Sequence, residues 1–256
     1  MSIMAVIFDG KEFADRMTKS LSAKVAGMKV VSLYNPEHLA SRVYTEMKAK
    51  KAEEFGVEFE KFPITNLNNQ KKIKSQILKF NRDEDVDGII IQMPLGTKND
   101  PELIGQIDLN KDVDGMRRES GVMPATVRAV IEILNFAKSF VGGKQILNSK
   151  YNTLVVGNKG LVGARIQEEL NCEGMDKDDF DPKKLMTADA IISATGVASL
   201  INGQMVKDGV ICIDVGYPKG DFDPSTALKA GFFTPVPGGV GPVTVVSLFA
   251  NLVELL

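Results

Sequence analysis

Residues 86–95 of this chain read VDGIIIQMPL, and this stretch decides the fold. Its three consecutive isoleucines make a segment that is apolar on both faces, which is typical of a strand buried within a parallel sheet. Pro94 ends the strand, because proline has no amide hydrogen to donate to a neighbouring strand. Gln92 therefore falls at the carboxyl end of its strand, where open α/β sheets bind their ligands. The alternative is that the Gln92 amide only caps a loop.

Strands and helices alternate on both sides of this stretch. The first half of the sequence predicts helices over residues 11–28, 37–55 and 69–80 and strands over residues 28–34 and 57–62. The second half predicts a strand over residues 151–157, a helix that ends near residue 170, and strand-like segments over residues 188–196, 210–216 and 232–234. Such alternation predicts an α/β fold with parallel sheets.

The composition is that of an ordinary globular protein. Its 256 residues carry a formal net charge of -2, so no basic field indicates a nucleic-acid partner. Cys172 and Cys212 have neither metal-ligand spacing nor a disulfide framework, which fits a reducing cytosol. His38 is the single histidine, so a histidine-based metal site or catalytic triad is not expected. No apolar run reaches the roughly 18 residues of a membrane span, and the N-terminus lacks a signal-peptide pattern.

Residues 41–48 read SRVYTEMK and lie in a predicted helix that Gly56 closes. Tyr44 and Lys48 are four residues apart, so they share one face of that helix, one turn from each other. A tyrosine ring can stack on a flat substrate, and a buried lysine can move a proton because burial favours its neutral form. The alternative is a solvated face, since residues 50 and 51 are also lysines.

Three loops carry further candidates for ligand binding. Residues 111–115 (KDVDG) form a polar turn whose two carboxylates either bind a ligand amide or amine or merely cap the turn. Residues 157–163 (GNKGLVG) are a glycine-rich turn between a strand and a helix, and such a turn brings a helix N-terminus to a phosphate. Residues 235–242 (PVPGGVGP) make a stiff loop with few side chains, which either approaches a flat ligand or is only a tight turn.

Together these segments resemble the bifunctional methylenetetrahydrofolate dehydrogenase/methenyltetrahydrofolate cyclohydrolase family, the FolD type. The resemblance runs from Gly10 to Asn251, and four blocks carry it: residues 41–48, 87–95, 111–115 and 234–244. The family implies two lobes around a cleft. A catalytic, folate-binding lobe over residues 1–122 is completed by a C-terminal helix over residues 243–256, and a Rossmann-like NAD(P)-binding lobe covers residues 123–242.

The resemblance also implies a role for each site residue. Lys48 is then the catalytic lysine, with Gln92 as its hydrogen-bond partner. Tyr44 stacks on the aminobenzoyl part of the folate, and Asp114 binds the polar edge of the pterin. Hydride passes from the methylene bridge to the nicotinamide, and water then hydrolyses the methenyl cation with proton transfer by the lysine; no metal is required. Further binding residues are implied: Pro237, Gly238 and Gly239 for the substrate, and Gly157, Asn158, Lys159, Thr195, Gly216 and Tyr217 for the cofactor.

The cofactor half departs from the family pattern. Asn158 and Lys159 stand where the family has Arg and Ser, the strand after the first helix is missing or much shortened, and a Pro-Cys-Thr-Pro block is reduced to residues 124–127. NADP is the family default, and Lys159 is a candidate partner for its phosphate. Asp176, however, lies 19 residues after Gly157, near the spacing at which an acidic residue binds the ribose of NAD. We therefore expect NADP, with NAD as the alternative.

The resemblance therefore implies a cytoplasmic enzyme of one-carbon metabolism that interconverts methylene-, methenyl- and formyl-tetrahydrofolate. The family further implies a homodimer, and we expect neither a nucleic-acid nor a membrane partner. Two alternatives are a cyclohydrolase that has lost its redox half and a non-catalytic folate- or nucleotide-binding protein. The second is disfavoured, because a protein that only binds folate has no need of Lys48.

Overall fold

The computed structural model describes residues 5–141 and 151–256. Contacts group these residues into two compact units, each with its own parallel sheet. Asp15–Ala125 and Val245–Leu256 form the three-stranded unit, and the described parts of Met1–Ala14 and Thr126–Thr244 form the six-stranded unit. The α/β class expected from the sequence is confirmed, whereas the domain limits at residues 122, 123, 242 and 243 stay a prediction.

The regular elements follow the alternation seen in the sequence. The helices are α1 (Gly10–Val25), α2 (Leu39–Phe55), α3 (Gln70–Arg82), α4 (Asp100–Ile104), α5 (Ala125–Val141), α6 (Leu161–Leu170), α7 (Pro182–Leu185) and α8 (Val240–Glu254). The strands are β1 (Val6–Ile7), β2 (Lys29–Tyr34), β3 (Glu58–Pro63), β4 (Gly88–Ile91), β5 (Thr153–Val156), β6 (Glu173–Met175), β7 (Ala190–Ser193), β8 (Ile211–Asp214) and β9 (Phe232–Phe233).

The three-stranded unit has the strand order β3-β2-β4, and both pairings are parallel. The isoleucines of β4 are buried, as expected for a strand covered on both faces. Helix α3 buries Ile73, Ile77 and Phe80 against the same apolar cluster. Because all three strands run in one direction, their carboxyl ends lie at one edge of the sheet, and Gln92 follows β4 at that edge.

The six-stranded unit has the strand order β1-β9-β8-β7-β5-β6, again with parallel pairing throughout. Its strands β5, β7 and β8 are buried along their whole length, which fits the apolar runs of their sequences. The edge strand β6 is present but has only three residues, so the expected shortening of this strand is confirmed. The carboxyl end of β5 leads directly into the glycine-rich turn and α6.

The structure corrects two details of the sequence-based assignment. Helix α1 ends at Val25 rather than near Met28, because Gly27 adopts a left-handed backbone conformation with φ of 84°. Strand β1 was not predicted, since its two residues are too few to show an alternating pattern. Among the described residues, no helix is long and apolar enough to cross a membrane.

Candidate active site

Lys48 lies near the middle of α2 with a side chain that is only 4% exposed. Its ammonium forms an ion pair with Asp114, and 3.1 Å separates Nζ from Oδ2. The Asp114 side chain is 18% exposed, so the carboxylate also reaches the surface of the unit. A buried charge needs a partner of this kind, because desolvation without pairing is costly. The structure thus brings together a buried amine and a carboxylate that a ligand can still reach.

The turn that carries Asp114 is held by its neighbour Asp112. Both carboxylate oxygens of Asp112 accept backbone hydrogen bonds, from Met116 at 3.2 Å and from Arg117 at 2.9 Å. The Asp112 side chain is fully buried, and this burial raises its pKa. Gly115 completes the turn at φ of 65°, where a β-carbon would lie 2.6 Å from the Met123 carbonyl oxygen. Asp112 therefore caps the turn, and Asp114 is the carboxylate available to a ligand.

Asn251 of α8 fixes the same turn from the other side. Its buried side-chain amide donates to the carbonyl oxygens of Val113 at 3.0 Å and Met123 at 2.8 Å. The same helix packs Phe249 on Phe55 of α2, with 4.8 Å between the ring centroids. Sequence reasoning gave Asn251 no role, although its amide in a mostly apolar helix was a signal for a buried structural contact.

Gln92 is held at the sheet edge by its backbone. Its amide donates to the Leu33 carbonyl oxygen at 2.8 Å, and its own carbonyl oxygen accepts from the Ser41 hydroxyl at 3.1 Å. Its side-chain Nε2 donates to Met93, while Oε1 is buried and has no hydrogen-bond partner. The predicted hydrogen bond between Gln92 and Lys48 is not formed in the structure, where the Lys48 ammonium donates to Asp114. A buried acceptor without a protein partner is unusual in a folded protein.

Ser41 and Asn35 connect α2 to the carboxyl ends of β2 and β4, a role that sequence reasoning missed. The Ser41 hydroxyl accepts the Asn35 amide hydrogen at 3.0 Å while it donates to Gln92. The Asn35 side-chain amide donates to the Leu95 carbonyl oxygen at 2.9 Å. Because Ser41 lies in the helix that carries Tyr44 and Lys48, these bonds fix the helix relative to Gln92. Tyr44 is partly buried one turn before Lys48.

The glycine-rich turn of the six-stranded unit has the features of a phosphate-binding turn. Gly157 follows β5 at φ of 89°, and a β-carbon there would meet the Ala194 carbonyl oxygen at 2.6 Å. A β-carbon on Gly163 would lie 2.1 Å from the Gly157 carbonyl oxygen, so only glycine lets α6 pack this closely. Gly160 begins α6 without a side-chain cap, which leaves amides of the first turn available to an anion.

Gly163→Ala is expected to lower the free energy of unfolding by about 2 kcal/mol, because the new methyl group overlaps backbone that cannot move aside. Gly241→Ala is the matched control in the same unit, since a β-carbon at Gly241 meets nothing within 4 Å. Chemical denaturation of both variants measures the difference. Equal stabilities would show that the turn adapts to a side chain at Gly163.

The loop after β6 meets the glycine-rich turn. The Asp176 carboxylate accepts the Lys159 amide hydrogen at 3.1 Å, and the Lys159 ammonium forms an ion pair with Asp178 at 2.9 Å. The Asn158 side chain instead donates to Gln167 at 3.0 Å. The structure thus places Asp176 and Lys159 side by side, whereas the predicted contact of Asn158 with the cofactor stays a prediction.

Two buried aspartates shape the turns that follow β7 and β8. Asp221 accepts hydrogen bonds from the Ser193 hydroxyl and the Thr195 amide, both at 2.8 Å. Asp214 accepts the amide hydrogen of Gly216 at 2.8 Å, and burial raises the pKa of this carboxyl group. The two aspartates are also linked directly, since the Asp221 backbone amide donates to the Asp214 carboxylate at 3.1 Å. Thr195 and Gly216 are thereby fixed at the carboxyl edge of the sheet, and sequence reasoning missed both aspartates.

The remaining predicted residues also belong to the six-stranded unit. Tyr217 follows Gly216 directly, and Pro237, Gly238 and Gly239 lie in the loop between β9 and α8. Gly238 adopts φ of 101°, and its carbonyl oxygen accepts the Gly10 amide hydrogen at 3.0 Å. Their roles in binding stay predictions. In residues 5–141 and 151–256, no group of three or more His, Cys, Asp or Glu side chains is arranged to hold a metal ion.

The fold and these sites define a class of protein: a two-unit α/β enzyme with a lysine–carboxylate site in one unit and a dinucleotide-binding turn in the other. Two family models match the chain. Residues 8–114 match the tetrahydrofolate dehydrogenase/cyclohydrolase catalytic domain, and residues 124–256 match the NAD(P)-binding domain of the same family. The chain therefore belongs to the tetrahydrofolate dehydrogenase/cyclohydrolase family.

Similar proteins agree with this assignment over almost the full length. The Bifunctional protein FolD of Lactobacillus acidophilus is 32% identical over 284 residues, which cover 98% of this chain and 97% of the relative. The Clostridium tetani protein of the same name is also 32% identical, and the alignment covers 98% of this chain and 99% of the relative. The crystal structure of the bifunctional enzyme FolD from Campylobacter jejuni superposes with a TM-score of 0.86 at 27% identity and covers 98% of both chains. The chain is a bifunctional methylenetetrahydrofolate dehydrogenase and methenyltetrahydrofolate cyclohydrolase with an NAD(P)-binding domain.

Proposed function

We propose that Lys48 is the proton-transfer group of the cyclohydrolase reaction and that Asp114, Gln92 and Tyr44 bind the folate around it. The observation that carries this proposal is the buried Lys48–Asp114 ion pair, because it places an ionisable amine beside a carboxylate that a substrate can reach. Groups of this kind, buried and paired at a ligand-binding edge, are candidates for acid–base catalysis.

Asp114 recognises the pterin in this scheme. The polar edge of a pterin carries neighbouring N–H donors, and a carboxylate can accept two such hydrogen bonds at once. The unpaired Oε1 of Gln92 offers a further acceptor at the same sheet edge. Tyr44, one helical turn from Lys48, provides a ring face for the aminobenzoyl group. Each of these contacts orients the methylene or methenyl bridge relative to the lysine amine.

Substrate binding frees the lysine for catalysis. In the structure, Asp114 compensates the positive charge of Lys48. A pterin that takes the carboxylate removes this compensation, and a cationic methenyl group nearby then repels an ammonium. Both effects favour the neutral amine. The site thus converts Lys48 into a base at the moment when the substrate that needs a base is in place.

The neutral Lys48 amine takes a proton from water as the oxygen attacks the methenyl carbon. The tetrahedral adduct then collapses: its hydroxyl proton goes to solvent, a carbon–nitrogen bond of the bridge breaks, and the lysine returns its proton to the departing nitrogen. Methenyl-tetrahydrofolate and water thus give formyl-tetrahydrofolate and one proton. Gln92 and Asp114 keep the substrate oriented throughout.

The nucleotide turn fits a dinucleotide, because Gly160 begins α6 without a side-chain cap and leaves amides of the first turn available to a phosphate. When bound, NAD(P) supplies the nicotinamide that accepts hydride from the methylene bridge. Amides of the first turn of α6 would hold the pyrophosphate. Thr195 and Gly216, fixed by Asp221 and Asp214, would line the path of the cofactor along the sheet edge.

An absorbance assay tests the two activities separately. Methylene-tetrahydrofolate with NAD or NADP should give reduced nicotinamide, and methenyl-tetrahydrofolate alone should lose its absorbance as it is hydrolysed. Hydrolysis without any hydride transfer would leave only a cyclohydrolase, and binding without either reaction would contradict the proposal.

We also propose that the protein works as a homodimer in the cytoplasm. Support for the compartment comes from Cys172 and Cys212, which are both free thiols, as is usual in reducing surroundings. The dimer follows from the family resemblance. Light scattering coupled to size-exclusion chromatography measures the oligomeric state, and a mass near the 27.8 kDa of one chain would contradict the dimer. Cell fractionation with an antibody against the protein tests the cytoplasmic location.

A further inference from the structure

The carboxyl end of β6 carries an acidic residue at a characteristic position of dinucleotide-binding folds. In Rossmann-like folds an acidic residue at the end of the strand after the phosphate-binding helix binds the ribose hydroxyls of NAD. Strand β6 is that strand, because it follows α6 and pairs with β5 in parallel. Asp176 is the first residue after β6, so the short strand still delivers a carboxylate to this point.

The backbone orients the Asp176 carboxylate. Its Oδ2 accepts the Lys159 amide hydrogen at 3.1 Å, and its Oδ1 accepts the Lys177 amide hydrogen at 2.7 Å. The hydrogen bonds from Lys177 and Lys159 lower the pKa of Asp176, so the group is an anion at neutral pH. Each carboxylate oxygen keeps a second lone pair, which a ribose hydroxyl can use. The Asp176 amide is itself fixed by Asp179 at 2.7 Å.

The cation that could serve a phosphate is already occupied. The Lys159 ammonium is 2.9 Å from Asp178, and this hydrogen bond raises the pKa of the lysine. Asn158 offers no cation here, and its side-chain amide donates to Gln167. A phosphate at this position would face Asp176 and would compete with Asp178 for Lys159, and both effects are unfavourable for a dianion.

We infer that the enzyme uses NAD in preference to NADP, with Asp176 accepting hydrogen bonds from the ribose hydroxyls and repelling the phosphate that NADP carries there. This inference rests on the proposed nucleotide site. It departs from the family default, NADP, because of the carboxylate and the engaged lysine. Lys177, which follows Asp176 directly, is a second cation near this carboxylate, and a competing role for it is therefore part of the test.

Binding of NADH and NADPH, followed by their fluorescence, measures the preference without any folate turnover. NADH should bind roughly thirtyfold more tightly than NADPH, the scale expected for a phosphate against one partly screened carboxylate. Added salt should improve NADPH binding, because it screens the repulsion, and should change NADH binding less. Catalytic efficiencies with the two cofactors should follow the same order.

Three variants locate the cause. Asp176→Ser should tighten NADPH binding and weaken NADH binding. These two changes together should remove most of the preference for NADH over NADPH. Asp178→Asn should tighten NADPH binding alone, because it frees Lys159. Asp208→Asn is the matched control: it removes one exposed negative charge from the same unit, at a carboxylate paired with Lys229, and should leave both affinities unchanged.

Equal or tighter binding of NADPH by the native enzyme would overturn the inference, and a loss of that binding in Lys177→Gln would identify the cation responsible. A preference for NADH that Asp176→Ser leaves intact would remove Asp176 from the explanation. If Asp176→Ser does not fold, the other two measurements test the inference: NADPH binding that neither Asp178→Asn nor added salt improves would contradict it. Failure of both nucleotides to bind would contradict the nucleotide site itself, a result distinct from a reversed preference.

Discussion

Lys48→Met is expected to lower the cyclohydrolase rate about a thousandfold while folate still binds. General acid–base groups contribute on this scale, and a thioether cannot carry a proton. Methionine keeps the unbranched shape of the buried lysine stem, so packing within α2 changes little. Asp114 loses its partner, but the carboxylate reaches solvent and the fold tolerates the change. Hydrolysis of methenyl-tetrahydrofolate and folate binding are measured on the same preparation.

Lys48→Arg separates charge from proton transfer. A guanidinium can still pair with Asp114 but does not lose its proton in a protein, so the variant should be as slow as Lys48→Met in hydrolysis. Lys51→Met is the matched control, because Lys51 lies in the same helix and is ion-paired with Asp15 and Glu54 outside the site. Near-native hydrolysis by either Lys48 variant would exclude Lys48 as the proton-transfer group.

The sheets were predictable because their central strands are apolar on both faces. The run of isoleucines in β4 and the apolar segments of β5, β7 and β8 are typical of strands covered on both faces in a parallel sheet. Strand β1 was not predictable, since two residues carry no period and its pairing with β9 joins residues far apart in sequence. The three-residue β6 was expected to be missing or much shortened because the sequence departs from the family pattern there.

The candidate site was predictable where chemistry and helix spacing coincide, as for Tyr44 and Lys48. The two carboxylates of the KDVDG turn differ in the direction of their side chains, which the sequence does not show. Asp112 accepts backbone amide hydrogens, whereas Asp114 accepts a hydrogen bond from Lys48. The residues that hold the site, Asn251 and Asp221, were missed because they act on backbone groups distant in sequence. A polar residue in a mostly apolar helix is the signal that could have indicated Asn251, whereas Asp221 lies in the polar segment KGDFD and carries no such signal.

Asp114→Asn is expected to weaken folate binding by about a hundredfold and to leave nicotinamide cofactor binding unchanged. An asparagine side chain presents one acceptor and one donor, so one of the two pterin N–H groups faces another donor. Loss of a hydrogen bond to a charged group, with a buried donor left unpaired, costs about 2–3 kcal/mol, which corresponds to this factor. The measurements are the folate dissociation constant, the dissociation constant for NADH, and KM and kcat for hydrolysis.

The kinetic signature distinguishes binding from catalysis. KM should rise far more than kcat falls, because Lys48 without an anionic partner is no less able to become a neutral base once substrate is bound. Asp112→Asn is the contrasting control: its oxygens already accept two backbone hydrogen bonds, so the substitution should lower thermal stability and impair every ligand alike. If Asp114→Asn behaved in that same way, with equal losses for folate and nicotinamide, its carboxylate would belong to the fold and the pterin would be recognised elsewhere.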